Sequence, residues 1–366
     1  MTAIHSPRAY AQNHDRVEAP DSDDPLMRAD TDMRFVLDTL AAMEERPLAS
    51  STPREARRHP KLLDAATKLL ADRGRALAGY PDIETEDVTI EGPDGDIAAR
   101  VYRRPDLDKV APMLLFVHGG GWVTGDLESA DTIARMLAKR CAAIVVSTHY
   151  RLAPEHKFPA AHEDTYAAWL WMIEHAEELG GDRARAGAAG EGVGANMALN
   201  IALQARDEAN FRPRHLVLLQ PLARGGAVGA SYEENSKALP LNPSVIRWSQ
   251  RHSFAGAADL EDPRINLVER VDLAGLPPTT IILAEIDPLR SEGEDLAHAL
   301  NVAGNWVDVT TYDGVTHGFF GLGEIVNKAM FAQSQVVINL LAARIPDQAR
   351  GRKPPPNSAV PRPVAF

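Results

Sequence analysis

Short apolar runs, separated by segments of helical periodicity, constrain the fold of this chain more than any other feature. Continuous apolar runs are typical of β-strands buried on both faces, and their alternation with helices is typical of a parallel sheet. The runs cover residues 113–117, 143–147, 184–189, 216–219 and 280–284, and a last strand-like run covers 307–311. The pattern therefore predicts an α/β fold in which a mostly parallel central sheet is flanked by helices.

A β-hairpin is predicted ahead of these runs. Residues 84–90 and 97–103 alternate apolar and polar side chains, as strands with one buried face do. Between them lies the turn-forming cluster Gly92-Pro93-Asp94-Gly95. With the hairpin included, we expect about eight strands.

The remaining segments predict accessory parts around the α/β core. Apolar residues at helical spacing between Met33 and Leu77 predict two amphipathic helices, broken near Pro47 and Pro53. A later excursion between two strands is a natural place for a lid. The polar N-terminus is either disordered or an arm that orders against the cap. The predicted parts are a polar N-terminal arm (1–30), cap helices (31–80), α/β core (81–223), a cap excursion (224–273), α/β core (274–345) and a Pro-rich tail (346–366).

Composition limits the kinds of partner and the cellular compartment that are expected for this chain. The formal net charge is −12, which argues against a general nucleic-acid-binding role because phosphate binding needs a basic face. The single cysteine, Cys141, lies in an apolar run and allows no internal disulfide, so we interpret it as a buried core residue. The N-terminus has no apolar signal region, and no apolar stretch is long enough to span a bilayer. We therefore expect a cytoplasmic protein that binds neither nucleic acid nor membrane.

The first motif with chemical meaning is His118-Gly119-Gly120-Gly121-Trp122, directly after the run at 113–117. Three consecutive glycines let backbone amides turn toward a ligand without side chains in the way. Amides aimed at one point stabilise the oxyanion that develops in acyl transfer. A plain glycine turn is the alternative, but a histidine and three glycines after a buried strand are more specific than that.

The second motif, Gly190-Glu191-Gly192-Val193-Gly194, separates a predicted strand from the helical residues 195–204. A nucleophile elbow requires this strand–turn–helix context, and the helix points its N-terminus at the site. The central residue of an elbow should be serine, but here it is Gly192. A dinucleotide-binding turn is the competing interpretation; it fails because no ribose-binding acidic residue is placed after a following strand.

Two further polar residues follow later strands. Asp287 comes after the run at 280–284, and His317 comes after the run at 307–311. Alone, Asp287 would be interpreted as a helix cap and His317 as an ordinary loop residue. Together they complete the order of nucleophile, acid and histidine that is typical of α/β-hydrolase triads.

These motifs resemble those of the bacterial hormone-sensitive-lipase-like carboxylesterases, which have the α/β-hydrolase fold. The resemblance extends from about residue 112 to 322 and covers most of the α/β core. The matching stretches are HGGGW at His118, YRLAPEHKFPAA from Tyr150, GEGVGANMA from Gly190, DPLRSEGE from Asp287 and THGFFGL from Thr316.

The resemblance implies a role for each site residue. The family has serine at the position of Gly192, His317 would be the general base, and Asp287 would orient it. A small-molecule ester would be the substrate, and no cofactor is implied. A homodimer is also implied, formed through the last strand and the helix predicted at 327–341. The implied oxyanion donors are the backbone amides of Gly120, Gly121 and Val193.

Glycine has no hydroxyl, so no acyl-enzyme can form at Gly192. Two explanations are open: a deliberate inactivating substitution in an esterase, or a natural homologue that has given up serine chemistry. The intact surroundings favour the first, because a binding protein would need neither Asp287 nor His317. A small-molecule binding protein and a lyase that uses His317 as a base are the functional alternatives.

Other residues near the motifs are candidates for substrate contact or for support. An apolar, partly aromatic pocket lining is suggested by Trp122, Trp248, Phe319 and Phe320, with core packing as the alternative for each. For Glu191 a structural hydrogen-bonding role is favoured over catalysis. Tyr150, Arg151 and Glu155 are interpreted as scaffold, with the arginine held by carboxylates. The spacing of histidines and the single cysteine predict no metal site.

Overall fold

The predicted strands form one sheet in the computed structural model, which describes residues 24–107 and 110–343. Each predicted run is present and several extend further at their ends. The strands are β1 (Glu84–Gly92), β2 (Gly95–Arg103), β3 (Ala111–Val117), β4 (Ile144–His149), β5 (Gly181–Glu191), β6 (Leu216–Leu219), β7 (Thr279–Ile286) and β8 (Val307–Thr316). The prediction of about eight strands is confirmed.

The sheet has the order β1-β2-β4-β3-β5-β6-β7-β8. β1 pairs antiparallel with β2 in the predicted hairpin, and β2 pairs antiparallel with β4. From β4 to β8 every pairing is parallel. Parallel strands need crossover connections, so helices come to lie on both faces of the sheet. The predicted fold class is confirmed.

Helices connect and cover the strands. The helix predicted at 327–341 runs two residues further. The helices are α1 (Thr31–Met43), α2 (Pro53–Ala56), α3 (Leu62–Ala71), α4 (Leu127–Cys141), α5 (Ala160–Glu174), α6 (Val193–Asp207), α7 (Ala230–Glu234), α8 (Pro243–Ser253), α9 (Ala257–Leu260), α10 (Arg290–Val302) and α11 (Asn327–Ala343).

Alternate residues of each central strand face two separate layers of core. On β3, Leu115 packs with residues of α5, α6 and α10, whereas Leu114 and Phe116 pack with residues of α1, α3, α4 and α11. Because both faces are covered by helices, every residue of β3 is buried. Cys141 is buried in the second layer, as expected.

The predicted cap regions meet each other and also pack on the core. Trp248 of α8 donates a hydrogen bond from Nε1 to the Ser51 carbonyl oxygen, which joins the excursion to the N-terminal segment. Helices α1 and α3 share a core layer with the central strands. The division into cap and core stays a prediction. Most of the predicted arm and all of the predicted tail lie outside the described residues.

In the part of the chain that the structure describes, no helix combines the length and the apolar character that crossing a membrane requires.

The motif residues share one edge of the sheet. His118, Gly192, Asp287 and His317 directly follow the last residues of β3, β5, β7 and β8. Because these strands are parallel, their carboxyl ends lie at the same edge, where ligand sites form in α/β folds.

Candidate active site

Gly192 forms a sharp turn between β5 and α6. Its backbone has φ 56° and ψ −114°, a combination that residues with side chains rarely adopt. Its N–H donates to the Leu219 carbonyl oxygen at 2.8 Å, which ties the turn to β6. The flanking glycines are required by close packing: a Cβ at Gly190 would collide with the Gly194 backbone, and one at Gly194 with the Val117 carbonyl oxygen. The geometry is that of a nucleophile elbow.

His317 and Asp287 form a hydrogen-bonded pair. His317 donates from Nδ1 to Asp287 Oδ2 at 2.8 Å, and the other carboxylate oxygen accepts the Leu289 backbone N–H at 2.9 Å. Asp287 is buried, whereas the His317 side chain keeps 17% of its surface exposed. The carboxylate therefore fixes the ring and its tautomer, and Nε2 is left as the proton acceptor.

The surroundings favour the protonated imidazole of His317. Burial opposes the charged form, but the charge and hydrogen bond of Asp287, together with the charge of Glu191, outweigh it. The pKa of His317 is consequently raised above its ordinary value of 6.5. A base with a raised pKa is stronger, which suits it to accept a proton from a weakly acidic nucleophile.

The imidazole lies directly in front of Gly192. A Cβ built on Gly192 would lie 3.5 Å from His317 Nε2 and 3.6 Å from Cε1, which is ordinary van der Waals contact. Apart from the chain neighbours of Gly192, no other described residue comes within 4 Å of that position. The structure thus brings together the three residues that the sequence assigned to a triad.

The glycine loop after β3 lies beside the elbow, since a Cβ on Gly119 would be 3.1 Å from the Glu191 carbonyl oxygen. Gly120 and Gly121 have φ values of 107° and 62°, and a Cβ on Gly120 would collide with Thr124. The loop is closed by hydrogen bonds from the N–H groups of Val123 and Thr124 to the Gly120 carbonyl oxygen. The backbone N–H groups of Gly120, Gly121 and Val193 donate to no acceptor among the described residues, and their role as oxyanion donors stays a prediction.

Comparison with known proteins gives the family. A family model described as alpha/beta hydrolase fold matches residues 114–321. The chain belongs to this family. The carboxylic ester hydrolase LipN of Mycobacterium tuberculosis is 36% identical over 266 residues, which cover 71% of this chain and 70% of LipN. The ethyl acetate hydrolase of Pseudomonas putida is 31% identical over 277 residues, covering 74% of this chain and 87% of that enzyme.

Solved esterase structures share the fold of this chain. The hyperthermophilic esterase from the archaeon Pyrobaculum calidifontis aligns with a TM-score of 0.76 and 33% identity, over 85% of this chain and 96% of that one. A serine-to-alanine mutant of esterase rPPE, solved with (S)-Ac-CPA, aligns with a TM-score of 0.79 and 29% identity, over 86% and 98%. Ester hydrolysis is therefore the function supported at the level of the family.

Glu191, next to the elbow of this α/β-hydrolase, lacks at one of its carboxylate oxygens the structural hydrogen bond predicted for it. Its Oε1 is enclosed and has no hydrogen-bond partner. The side chain lies against the oxyanion loop, since a Cβ on Gly119 would be 3.7 Å from Glu191 Cγ. Burial raises the pKa of Glu191, while the nearby His317 opposes the rise. The described residues supply no donor for Oε1, which the sequence does not reveal.

The aromatic candidates are all buried. Phe319 and Phe320 are fully enclosed in a core layer, so the structure supports the core-packing alternative for both. Trp248 is held by its bond to Ser51 and is 3% exposed. Trp122 packs edge-on against Phe254 and is 4% exposed, with an enclosed Nε1 that has no partner. A substrate-lining role for the two tryptophans stays a prediction.

The YRLAPE segment supports the site as the sequence suggested, with one change of partner. Arg151 donates from its side chain and its backbone to the buried Asp164. Tyr150 donates from its hydroxyl to the His118 carbonyl oxygen at 3.1 Å, beneath the glycine loop. Glu155, in contrast, pairs with Arg57 of the N-terminal segment. Arg57 lies in no motif, so nothing in the sequence marked this contact.

Sequence reasoning also missed Ser253. It lies on α8 and donates from Oγ to the Gly121 carbonyl oxygen at 3.0 Å, so the predicted cap excursion touches the oxyanion loop directly. Serine at the end of a helix carries no distinctive sequence signal. Within residues 24–107 and 110–343, no cluster of three or more His, Cys, Asp or Glu side chains is arranged to hold a metal ion.

Proposed function

We propose that this chain is a carboxylesterase-type α/β-hydrolase that binds an intact carboxylic ester but forms no acyl-enzyme, because Gly192 occupies the nucleophile position. The observation that carries the proposal is the 3.5 Å separation between a Cβ on Gly192 and His317 Nε2. The Oγ of a serine lies one bond beyond Cβ and would come within hydrogen-bond reach of the imidazole. The site thus fits a serine that this chain does not have.

Binding without turnover is consistent with the surroundings of Gly192. The oxyanion amides, the His317–Asp287 pair and the loop beneath them do not depend on a side chain at residue 192. The serine-to-alanine mutant of esterase rPPE, which lacks one serine, is solved in complex with (S)-Ac-CPA. By analogy, we expect this chain to hold an uncleaved ester against the amides of Gly120 and Gly121.

The HGGGW loop supports membership of the hormone-sensitive-lipase-like group. The intact pair of Asp287 and His317 supports an esterase inactivated at one position rather than a protein long adapted to another role, because unused catalytic groups carry no advantage for binding alone. A natural non-hydrolytic homologue that binds a small molecule or acts as a lyase is the alternative.

The test is the variant Gly192→Ser with short p-nitrophenyl esters as substrates. Loss of the nucleophile in serine hydrolases lowers turnover on the order of a million-fold, so the serine variant should gain several orders of magnitude in kcat. The gain should disappear in the double variant Gly192→Ser with His317→Ala. Gly192→Ala is the matched control, because it adds the same Cβ without the hydroxyl.

The acyl-enzyme of the serine variant should be visible by mass spectrometry after acid quench. A folded Gly192→Ser variant that gains no hydrolysis would overturn the proposal. Direct binding is measured by calorimetry with a slowly hydrolysed ester on the unaltered chain. A ligand that binds without being an ester, together with an inactive serine variant, would favour the alternative.

A further inference from the structure

The space in front of Gly192 has a base on one side and little else. His317 Nε2 is the acceptor nitrogen, since Nδ1 donates to Asp287. The ring is 3.5 Å from the position of a Cβ that glycine does not have. A water molecule needs polar partners and about the volume of a small side chain. Beside Gly192 there is room for at least a methyl-sized group next to His317 Nε2, and the His317 side chain keeps 17% of its surface exposed.

Glu191 is the second unusual feature of this space. A buried carboxylate oxygen with no donor costs free energy, and such groups in native proteins call for a functional explanation. Glu191 adjoins Gly192 in the chain, rests against the oxyanion loop and has no described donor for Oε1. No described donor accounts for Oε1, whereas the charge of Glu191 favours the imidazolium of His317, which faces the adjoining Gly192.

We propose that His317 activates a water molecule beside Gly192, so that this chain hydrolyses activated esters in a single displacement, and that Glu191 is a positioning residue that stabilises the imidazolium formed in that step. The proposal rests on the proposed function, because it uses the same ester-binding site. It adds an activity for the chain with glycine in place.

The step balances without any further reactant. The water oxygen forms a bond to the acyl carbon while one of its protons moves to His317 Nε2. The carbonyl oxygen becomes an oxyanion that accepts hydrogen bonds from the amides of Gly120, Gly121 and Val193. When the tetrahedral intermediate collapses, the bond to the alcohol oxygen breaks and that oxygen takes the proton from His317. The products are a carboxylic acid and an alcohol.

A simpler account exists and makes a different prediction. Serine hydrolases that have lost their triad keep a residual acceleration on the order of a thousand-fold over water, from the oxyanion hole and binding alone. That residual does not need the histidine. General-base catalysis contributes on the order of 100-fold or more. Dependence of the residual rate on His317 therefore separates the two accounts.

The experiment measures hydrolysis of p-nitrophenyl acetate by the unaltered chain and by three variants, each checked for folding by circular dichroism. His317→Gln removes the base at similar volume, and the rate should fall on the order of 100-fold. Gly192→Ala places a methyl group 3.5 Å from Nε2, where the water would lie, and should cause a similar loss. His156→Gln changes an exposed histidine and should leave the rate unchanged.

Glu191→Gln tests the second part of the proposal through the pH profile. The rate of the unaltered chain should rise with pH as His317 loses its proton. Removal of the neighbouring negative charge, which raises the pKa of His317, should lower that apparent pKa and slow the plateau several-fold. A carboxylate with only a structural role would leave the apparent pKa in place. An unmoved profile in a folded Glu191→Gln variant overturns the role of Glu191.

Equal rates for the unaltered chain and His317→Gln would overturn water activation. So would an acyl adduct on the unaltered chain by mass spectrometry, since a single displacement leaves none. These outcomes are independent of the test of the proposed function. The Gly192→Ser variant can gain acyl-enzyme turnover while the glycine chain shows no His317-dependent rate, and then only the water route fails.

Discussion

The hydrogen bonds around Asp287 make the substitution Asp287→Asn a sharp test of the site. One carboxylate oxygen accepts the Leu289 backbone N–H at 2.9 Å and the other accepts His317 Nδ1–H at 2.8 Å. An asparagine keeps its amide oxygen toward the Leu289 N–H, because the reverse orientation would set two donors against each other in a buried place. Its NH₂ group then faces His317 Nδ1.

The consequence is a change of tautomer. With a donor opposite Nδ1, the imidazole must accept there and carry its proton on Nε2, so it cannot take a proton from a nucleophile. In the Gly192→Ser background we expect kcat to fall on the order of 10⁴-fold, the size found when the same carboxylate is changed to an amide in a serine protease. This corresponds to a rise in the activation free energy of about 5.5 kcal/mol.

The assay is steady-state hydrolysis of p-nitrophenyl butyrate by Gly192→Ser and by Gly192→Ser with Asp287→Asn. The control is Asp295→Asn in the same background, which removes a surface carboxylate of α10 that pairs with Arg224 and should leave kcat within about twofold. A loss below tenfold in the folded Asp287→Asn variant would refute the assignment of Asp287 as the residue that orients His317.

Three further outcomes are expected. In the serine variant, kcat/KM should fall as the pH drops through the pKa of His317, with half-maximal activity above pH 6.5, since the protonated ring cannot act as a base; a midpoint below 6.5 contradicts this. Asp164→Asn should destabilise the chain by about 3–5 kcal/mol in urea unfolding, because it leaves Arg151 without its buried partner; a change below 1 kcal/mol argues against it. The α11 face with Phe331 (56% exposed) and Ile338 (64% exposed) should support the expected homodimer, so light scattering should show a dimer that Phe331→Glu dissociates; a monomeric unaltered chain rules the dimer out.

The fold could be predicted because its signals are local and repeated. Helices cover both faces of the sheet, so every residue of β3 is buried and apolar. The sequence therefore shows this strand as an unbroken apolar run. The hairpin turn likewise needs particular residues at Gly92 to Gly95. Strand ends were predicted less well: β8 continues to Thr316, five residues beyond the apolar pattern, because it pairs with β7 rather than because of its own side chains.

The site was predictable only where the backbone demands special residues. Gly190 and Gly194 are fixed by steric contact, and the positions after parallel strands bring Asp287 and His317 to one edge. Contacts between side chains that are far apart in the chain leave no pattern in the sequence. The bond from Ser253 to the oxyanion loop joins residues 132 positions apart. The missing partner of Glu191 is likewise a property of the folded surroundings and of no motif.

Gly192 also links the site to stability. At φ 56° and ψ −114° a glycine is unstrained, whereas a residue with a Cβ is held in a sparsely populated conformation at a cost of about 1–3 kcal/mol. The Cβ itself meets no clash, so backbone strain is the main term. We therefore expect Gly192→Ser to unfold at lower urea concentration than the unaltered chain, even as it gains activity, and Gly192→Ala to lose the same stability with no gain. Equal midpoints for all three would show that the turn relaxes on substitution. The elbow geometry is then not fixed, and the distance from Gly192 to His317 no longer places a serine hydroxyl within reach of the imidazole.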